Sequence, residues 1–362
     1  MIRLGWSKDT IMIKISEKQQ KILQLLLKHG FLSSSHVHKE FVELGENISL
    51  ITIKRELSQM AIKGLLFADG AGRSRVYRIG ISGRVFADIN SHEYCAIEPD
   101  KRYGLEGFNF DLFPNLPLDI FSEKELKTLK DATNEYIRRT KDASAVIQKK
   151  ELERLIIELS WKSSNIEGNT YTLLDTEKLI LENKEAIGHD KKESIMILNH
   201  KNAFNFIREH AESFRVLTRT NLERVHSILI KDLNAGKGFR QNPVGVTGSK
   251  YRPLDNVYQV QEAVEVLSSA VSKIETPYAK ALIALLGISY IQPFEDGNKR
   301  TARLMANALL LAHGCAPLSY RSVDKNDYRE GMLVFYELNS ILPFKNIFVL
   351  QYEFAAKNYA VK

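Results

Sequence analysis

From Ser122 to the C-terminus, apolar residues recur at the spacing of an amphipathic helix in one segment after another. Intervals of three and four residues place these side chains on one face, and a helix buries that face against its neighbours. The series predicts a helical domain over 122–362. One segment interrupts it, GKGFRQNPVGVTGSKYRPLDN, where Gly, Pro and Asn break the helices around alternating runs. We therefore expect a mainly α fold with a single β-hairpin.

The N-terminal part has a different pattern, with three shorter helices predicted after Ser16, Ser33 and Ser49 and two β-like runs within LLFADGAGRSRVYRIG. This order resembles a winged helix-turn-helix over roughly residues 15–80, and we assign residues 1–83 to that domain. The resemblance implies a recognition helix beginning after Ser49 and a basic wing. The side chains it assigns to DNA are Thr52, Lys54, Arg55, Arg73 and Arg75. Binding of another protein and homodimer formation are the alternatives for such a module.

Residues 84–121 mix Gly, Pro, Asn and aromatic side chains without a clear period, so we expect an extended connector packed on the helical domain.

The formal net charge of +7 is compatible with a polyanionic partner. Cys95 and Cys315 lie far apart, which favours two reduced thiols over a disulfide or a zinc site. We find neither a signal peptide nor an apolar run that could cross a membrane, and we expect a cytoplasmic protein.

The most polar stretch of the helical part is IQPFEDGNKRTAR, from Ile291 to Arg303. We predict that a helix ends near Ile291, that a tight loop follows, and that a new helix starts near Asn298. Unpaired amides at a helix start bind anions, and Arg300 and Arg303 share one face of that helix, where they can grip phosphate oxygens. Asp296 is a candidate Mg²⁺ ligand. The residues therefore predict a triphosphate site.

The same stretch resembles the signature of the Fic family, HPFx(D/E)GNGRxxR, and flanking elements agree over most of residues 155–359. Fic proteins mostly transfer AMP from ATP to a Ser, Thr or Tyr hydroxyl of a target protein. The resemblance implies that ATP is the nucleotide, that Asp296 holds Mg²⁺, and that Phe294 anchors the loop. It assigns the phosphates to Gly297, Asn298, Lys299, Arg300 and Arg303, and it places Tyr328 near the adenine.

The resemblance also implies a flap that aligns the target as an added strand. The flap residues are Val244, Gly245, Val246, Thr247, Gly248 and Ser249. A second motif, SSNIEG, fits the family's inhibitory helix through Ser163, Glu167 and Gly168, which we expect at the end of a helix around residues 154–168. A glutamate brought to Arg303 would occupy the place of the γ-phosphate and inhibit the chain from within.

Two positions depart from the signature. Gln292 stands at the catalytic histidine, and an amide is not a base, so we expect transfer to be weak or lost while Asn298 and the phosphate contacts remain. Lys299 stands at the second glycine of the signature. The resulting sequence, NKRTA, is similar to that of the Doc branch of the family, whose members phosphorylate their targets. The alternatives are therefore a silent, nucleotide-sensing DNA-binding regulator and a Doc-like phosphotransferase. Modification of the chain itself is left open.

Overall fold

The computed structural model describes residues 14–360, and helices dominate it. The three strands are β1 Phe31–Ser33, β2 Leu66–Asp69 and β3 Val76–Ile79. The helices are α1 Glu17–His29, α2 Ser34–Glu43, α3 Leu50–Ile62, α4 Ile81–Val85, α5 Ser91–Ala96, α6 Glu123–Asp142, α7 Ala145–Ile166, α8 Leu173–Glu182, α9 Lys191–Glu209, α10 Arg219–Leu229, α11 Val257–Lys273, α12 Pro277–Ile291, α13 Asn298–Ala312, α14 Lys325–Leu338 and α15 Leu342–Asn358. The mainly α prediction is confirmed. Among the described helices, none has the length and apolar character needed to cross a membrane.

The N-terminal elements begin where the sequence predicts, because serine side chains cap them. The Ser16 side chain accepts a hydrogen bond from the amide of Gln19 and forms a capping box with it, and Ser33 and Ser49 cap α2 and α3. The three strands form one antiparallel sheet in the order β1-β3-β2. A separate hydrophobic cluster lies between this sheet and α1 to α3.

The centre of the C-terminal part is the pair α12 and α13, which pack against each other. From Tyr278 onward nearly every residue of α12 is buried, so the helix carries apolar residues on all its sides. The remaining helices of this part surround the pair and complete the large hydrophobic core. The connector also contributes to that core, through Leu112, Phe113, Leu116, Ile120 and Phe121; the short helix α4 leads into it and the short helix α5 lies within it.

Helix α14 belongs to both hydrophobic clusters. Its residues Val334 and Leu338 are fully buried in the N-terminal cluster. Met332 and Phe335, on other sides of the same helix, are buried in the C-terminal core. One helix therefore forms part of both cores.

The prediction that the flap forms a β-hairpin is wrong for the described residues. Residues 240–253 form a loop whose own backbone pairing is a turn, with the Ser249 amide donating to the Val246 carbonyl at 3.1 Å. The Arg252 amide instead donates to the Glu106 carbonyl of the connector at 2.8 Å. Pro243 and Pro253 have no amide hydrogen to donate and the Arg252 amide is already bonded to the connector, so these three positions supply no donor to a hairpin ladder.

Candidate nucleotide site

A tight loop joins α12 to α13, as the sequence predicts. Gln292 ends α12 in the left-handed region, and Gly297 starts α13 with φ 77°. The Asn298 side chain closes the loop: its Oδ1 accepts from the Phe294 amide at 2.8 Å and its Nδ2 donates to the Phe294 carbonyl at 2.7 Å. Asn298 thus fixes the loop's shape, and its contact with an α-phosphate stays a prediction.

The N-terminus of α13 is well suited to an anion. Within the described part of the chain, no side chain caps this helix at Gly297. The first-turn amides of an uncapped helix point outward, and the helix dipole favours negative charge there. Lys299 is half-buried in this first turn, with 28% of its side chain exposed.

Arg303 is the centre of the site and is fully buried. Its Nε donates to Ser163 Oγ at 2.9 Å and its Nη2 to the Ser163 carbonyl at 2.8 Å. Its Nη1 donates to Glu167 Oε1 at 2.9 Å and to the Tyr328 hydroxyl at 3.3 Å. The structure therefore brings together Ser163, Glu167, Arg303 and Tyr328, four residues that the sequence assigned to one site.

Glu167 lies at the C-terminal end of α7, and Gly168 follows with φ 102°. The second carboxylate oxygen of Glu167 is 3.8 Å from Lys299 Nζ. Burial opposes ionisation of this carboxyl, but the charges of Arg303 and Lys299 outweigh burial and hold its pKa below the ordinary value. The Glu167 carboxylate therefore lies against two cations of α13, Lys299 in its first turn and Arg303 in its second.

Tyr328 is a buried neighbour of Arg303. Its ring is fully buried, with the Arg303 guanidinium 5.4 Å from its centroid and Phe344 packed edge-on. Its place near the adenine stays a prediction.

Arg300 and Asp296 form a second pair at the same helix start. Arg300 Nη2 donates to Asp296 Oδ2 at 3.0 Å, while Nη1 is buried with no partner among the described residues. The Asp296 carboxylate is 63% exposed. No group of three metal-ligating side chains occurs in the described chain. A single accessible carboxylate still fits Mg²⁺, which commonly takes one or two protein carboxylates and completes its shell with phosphate and water.

The Gln292 side chain turns back onto α12. Its Nε2 donates to the Ser289 carbonyl at 2.6 Å, and the residue is 7% exposed. The main-chain carbonyl of Gln292 accepts from Arg240 Nε at 2.7 Å. A buried amide in this position can donate and accept hydrogen bonds but cannot take a proton at neutral pH.

Two buried histidines on helices that pack against α13 were not predicted from the sequence. His226 on α10 stacks on Phe294 with ring centroids 3.5 Å apart, and its Nε2 lies 2.9 Å from the Asp296 carbonyl. Burial lowers its pKa to about 4. His200 on α9 is fully buried with neither ring nitrogen paired among the described residues. The only sequence signal was their place on the inward face of amphipathic helices, which does not distinguish a site residue from a core residue.

The residues assigned to DNA lie on α3 and near β3. Lys54, Arg55 and Arg75 are exposed, and none of them is ion-paired within the described chain. The Thr52 hydroxyl lies 2.9 Å from the Ser49 hydroxyl at the start of α3. The side chain of Arg73 lies outside the part that the structure describes. These positions leave DNA contact a prediction.

Comparisons with known proteins match the part of the chain that contains this site. Residues 216–310 match the Fic/DOC family. A protein of Nematostella vectensis named "Protein adenylyltransferase Fic" is 30% identical over 203 residues, which are 52% of this chain and 45% of that protein. A protein of the same name from Drosophila mojavensis is 27% identical over 215 residues, which are 58% of this chain and 42% of that protein. The chain thus spans less than half the length of these curated relatives.

Solved structures share the fold. A Fic domain containing signaling protein from Bacteroides thetaiotaomicron superposes with a TM-score of 0.53 at 21% identity and covers 64% of this chain and 94% of its own. Fic-1 from C. elegans, residues 134–508, gives a TM-score of 0.53 at 19% identity over 65% of this chain and 70% of its own. Similarities of this degree establish the fold. The match of residues 216–310 shows that the chain carries a domain of the Fic/DOC family.

Proposed function

We propose that the chain is a self-inhibited protein adenylyltransferase, which transfers AMP from ATP to a hydroxyl group of a target protein. The observation that carries this proposal is the 2.9 Å contact between Glu167 Oε1 and Arg303 Nη1. The chain's own Glu167 carboxylate pairs with Arg303 near the uncapped start of α13. The family resemblance expects the γ-phosphate of ATP to bind Arg303 in the same place. The names of the related proteins support AMP transfer at the level of the family.

In the proposed reaction, the target's hydroxyl oxygen forms a bond to the α-phosphorus of ATP, the bond to pyrophosphate breaks, and the hydroxyl proton is released. Arg300, Arg303 and the first amides of α13 would hold the phosphates, and Asp296 would hold Mg²⁺. The metal ion, when bound, neutralises charge on the phosphate oxygens. Glu167 competes with the terminal phosphate for Arg303, so we expect ATP to bind in an unproductive position until Glu167 moves.

Gln292 sets the expected rate. A positioned general base typically contributes ~10²- to 10⁴-fold, and Gln292 cannot supply that contribution. Phosphate binding, orientation and electrostatic stabilisation do not depend on this side chain. We therefore propose slow transfer by the chain as it stands, and faster transfer when a histidine replaces Gln292.

The decisive experiment uses ATP labelled at the α- or the γ-phosphate, in parallel, with the full chain. The variants are Glu167→Gly, Gln292→His and the two combined. The matched control is Glu182→Gly, which removes an exposed glutamate from the last turn of α8, away from Arg303. We expect the α-label on protein to increase at least tenfold in Glu167→Gly, to increase further in the double variant, and to stay at the wild-type level in the control.

The outcome of the label experiment separates the alternatives. Transfer of the γ-label alone would identify a Doc-like phosphotransferase and refute AMP transfer. If the double variant binds ATP with Mg²⁺ in calorimetry but labels no protein in cell extract or itself, adenylyl transfer is refuted.

The second candidate is a catalytically silent nucleotide sensor that binds DNA through the N-terminal module. The buried amide of Gln292 and the exposed, unpaired Lys54, Arg55 and Arg75 of the described chain favour it. It predicts that the full chain binds duplex DNA with an affinity that falls steeply as salt increases, and that Lys54→Ala with Arg55→Ala reduces this slope by about two. The matched control is Lys39→Ala, an exposed lysine of α2. A DNA affinity that salt and the double substitution leave unchanged would contradict this candidate.

A further inference from the structure

Glu337 is a fully buried carboxylate on α14 with three side-chain partners. Its Oε1 lies 3.0 Å from Arg102 Nη1 and 2.6 Å from Ser249 Oγ. Its Oε2 accepts from the Tyr94 hydroxyl at 2.7 Å. A buried carboxylate is tolerated only when its oxygens are satisfied in this way, so the partners depend on one another.

The flap, residues 244–249, reaches this carboxylate with its last residue. Ser249 Oγ donates to Glu337 and also accepts from the Tyr251 amide at 3.1 Å. Arg102 Nη2 donates to the carbonyl of Gly248 at 2.7 Å. Because the described flap has no strand partner, these bonds and the Val246 turn fix the conformation of its tip.

The other partners of Glu337 come from the N-terminal half of the chain. Tyr94 is the fourth residue of α5, and Arg102 follows α5 in the connector, directly after a short turn at Pro99–Lys101. The Ser340 hydroxyl, just after α14, donates to the Ala87 carbonyl at 2.6 Å, and the Ile341 amide donates to the Val85 carbonyl at 3.1 Å. Glu337 therefore links the flap to segments that pack with the N-terminal module.

We infer that Glu337 is a positioning residue for the flap, and that Tyr94 and Arg102 make the conformation of the flap depend on the connector. The inference rests on the proposed function in one respect, since the flap is expected to align the target. A flap that is no longer held in place must be ordered each time the target binds, and this ordering costs affinity for the target, so the effect is expected in KM more than in kcat. Loss of the Glu337 contacts should therefore impair the target step and leave ATP binding intact.

The test compares Glu337→Gln and Ser249→Ala with the wild type in the full chain. Glu337→Gln keeps the side-chain volume but replaces one acceptor oxygen by an amide group, and Ser249→Ala removes the flap hydroxyl alone. The matched control is Glu125→Gln. This variant breaks the ion pair between Glu125 of α6 and the buried Lys345 of α15, whose Nζ lies 2.8 Å from the Glu125 Oε1. The primary measurement is hydrogen exchange at the amides of Ser249, Tyr251 and Arg252.

We expect exchange at these amides to become at least tenfold faster in both flap variants, with exchange in α12 unchanged, and no change at the flap in the control. We expect the Kd for ATP to change less than twofold. In the background Glu167→Gly with Gln292→His, the KM for target should increase at least tenfold while kcat changes less than threefold.

Flap exchange that matches the wild type in Ser249→Ala and Glu337→Gln would overturn the inference. The exchange measurement needs no transfer activity. A chain that never labels a protein but shows faster flap exchange therefore refutes the proposed function and supports the positioning role of Glu337.

Discussion

Arg240 Nε donates to the main-chain carbonyl of Gln292 at 2.7 Å, and the Arg240 amide donates to the carbonyl of Pro293 at 3.0 Å. The other guanidinium donors reach the carbonyls of Asn242, at 2.9 Å, and Leu254. One buried arginine thus joins the front of the nucleotide loop to the segments on both sides of the flap, and all of these bonds end on main-chain oxygen. The planar arrangement of the Arg240 donors, more than the charge of the side chain, therefore holds the nucleotide loop in place.

Replacing this arginine tests that geometry. We expect Arg240→Lys to lower the free energy of unfolding by about 2 kcal/mol, because an ammonium group cannot reproduce the planar fork and leaves buried carbonyls without donors. Denaturant unfolding followed by circular dichroism measures the change. Arg252→Lys, at an exposed arginine of the same segment, is the control and should change the value by less than about 0.5 kcal/mol. Equal losses in the two variants would contradict the role of Arg240.

The contact between Glu167 and Arg303 should be insensitive to pH across the neutral range. The pKa of the Glu167 carboxyl is below its ordinary value of 4.5, so the pair is fully formed above that pH and is lost as pH falls through the lower, folded value. We expect ATP affinity of the wild type, relative to Glu167→Gln, to be constant from pH 8 to pH 5. Calorimetry at several pH values measures this ratio. A ratio that changes tenfold between pH 8 and pH 6 would mean that another group controls the contact.

His226 should make the fold less stable in mild acid. Its pKa is about 4 in the folded chain against 6.5 in a model peptide, so below pH 6.5 the unfolded chain binds the proton first. The free energy of unfolding should therefore fall as pH decreases from 6.5 to 4, and His226 should account for about 3 kcal/mol of that fall. Its ring faces Phe294 and the Asp296 carbonyl, with Arg300 and the Asp296 carboxylate as the nearby charges.

Unfolding curves of His226→Phe across the same pH range measure this contribution. The variant keeps an aromatic ring on Phe294 but cannot titrate, so its stability should depend less on pH. His200, whose pKa is also lowered, should retain a part of the dependence in both proteins. A slope that His226→Phe leaves unchanged would contradict the assignment to His226.

Gly297 starts α13 in a conformation that suits glycine. Its φ of 77° lies in the left-handed region, and a Cβ added there meets no atom closer than 3.5 Å. The cost of Gly297→Ala should therefore be backbone strain alone, about 1–2 kcal/mol of unfolding free energy. Gly245→Ala is the control, since Gly245 has open space and no positive φ. Thermal unfolding compares the two, and equal midpoints would show that the helix start tolerates a side chain.

Much of the fold could be predicted from local patterns. The serines at 16, 33 and 49 cap helices where the sequence placed them, and the strands Leu66–Asp69 and Val76–Ile79 pair as a hairpin. Each of these features depends on residues close together in the sequence. The flap was wrong because alternation in PVGV suggested strands, while the segment's hydrogen bonds go to Glu106, Arg102 and Glu337, which are distant in the sequence.

The candidate site was predictable where a motif names the residue. Glu167 and Arg303 lie 136 positions apart, and their contact follows from two motifs read together. His226, Arg240 and Glu337 carry no motif, and their roles depend on which surfaces three distant helices and a loop bring together. No periodicity in a single sequence contains that information.

Helix α14 has a consequence for how the chain melts. Val334 and Leu338 belong to one core while Met332 and Phe335 belong to the other, so this helix cannot leave either core without disturbing both. The N-terminal module and the Fic/DOC domain should therefore unfold together as a single cooperative unit. A ligand held by either half would then raise the melting temperature of the whole chain.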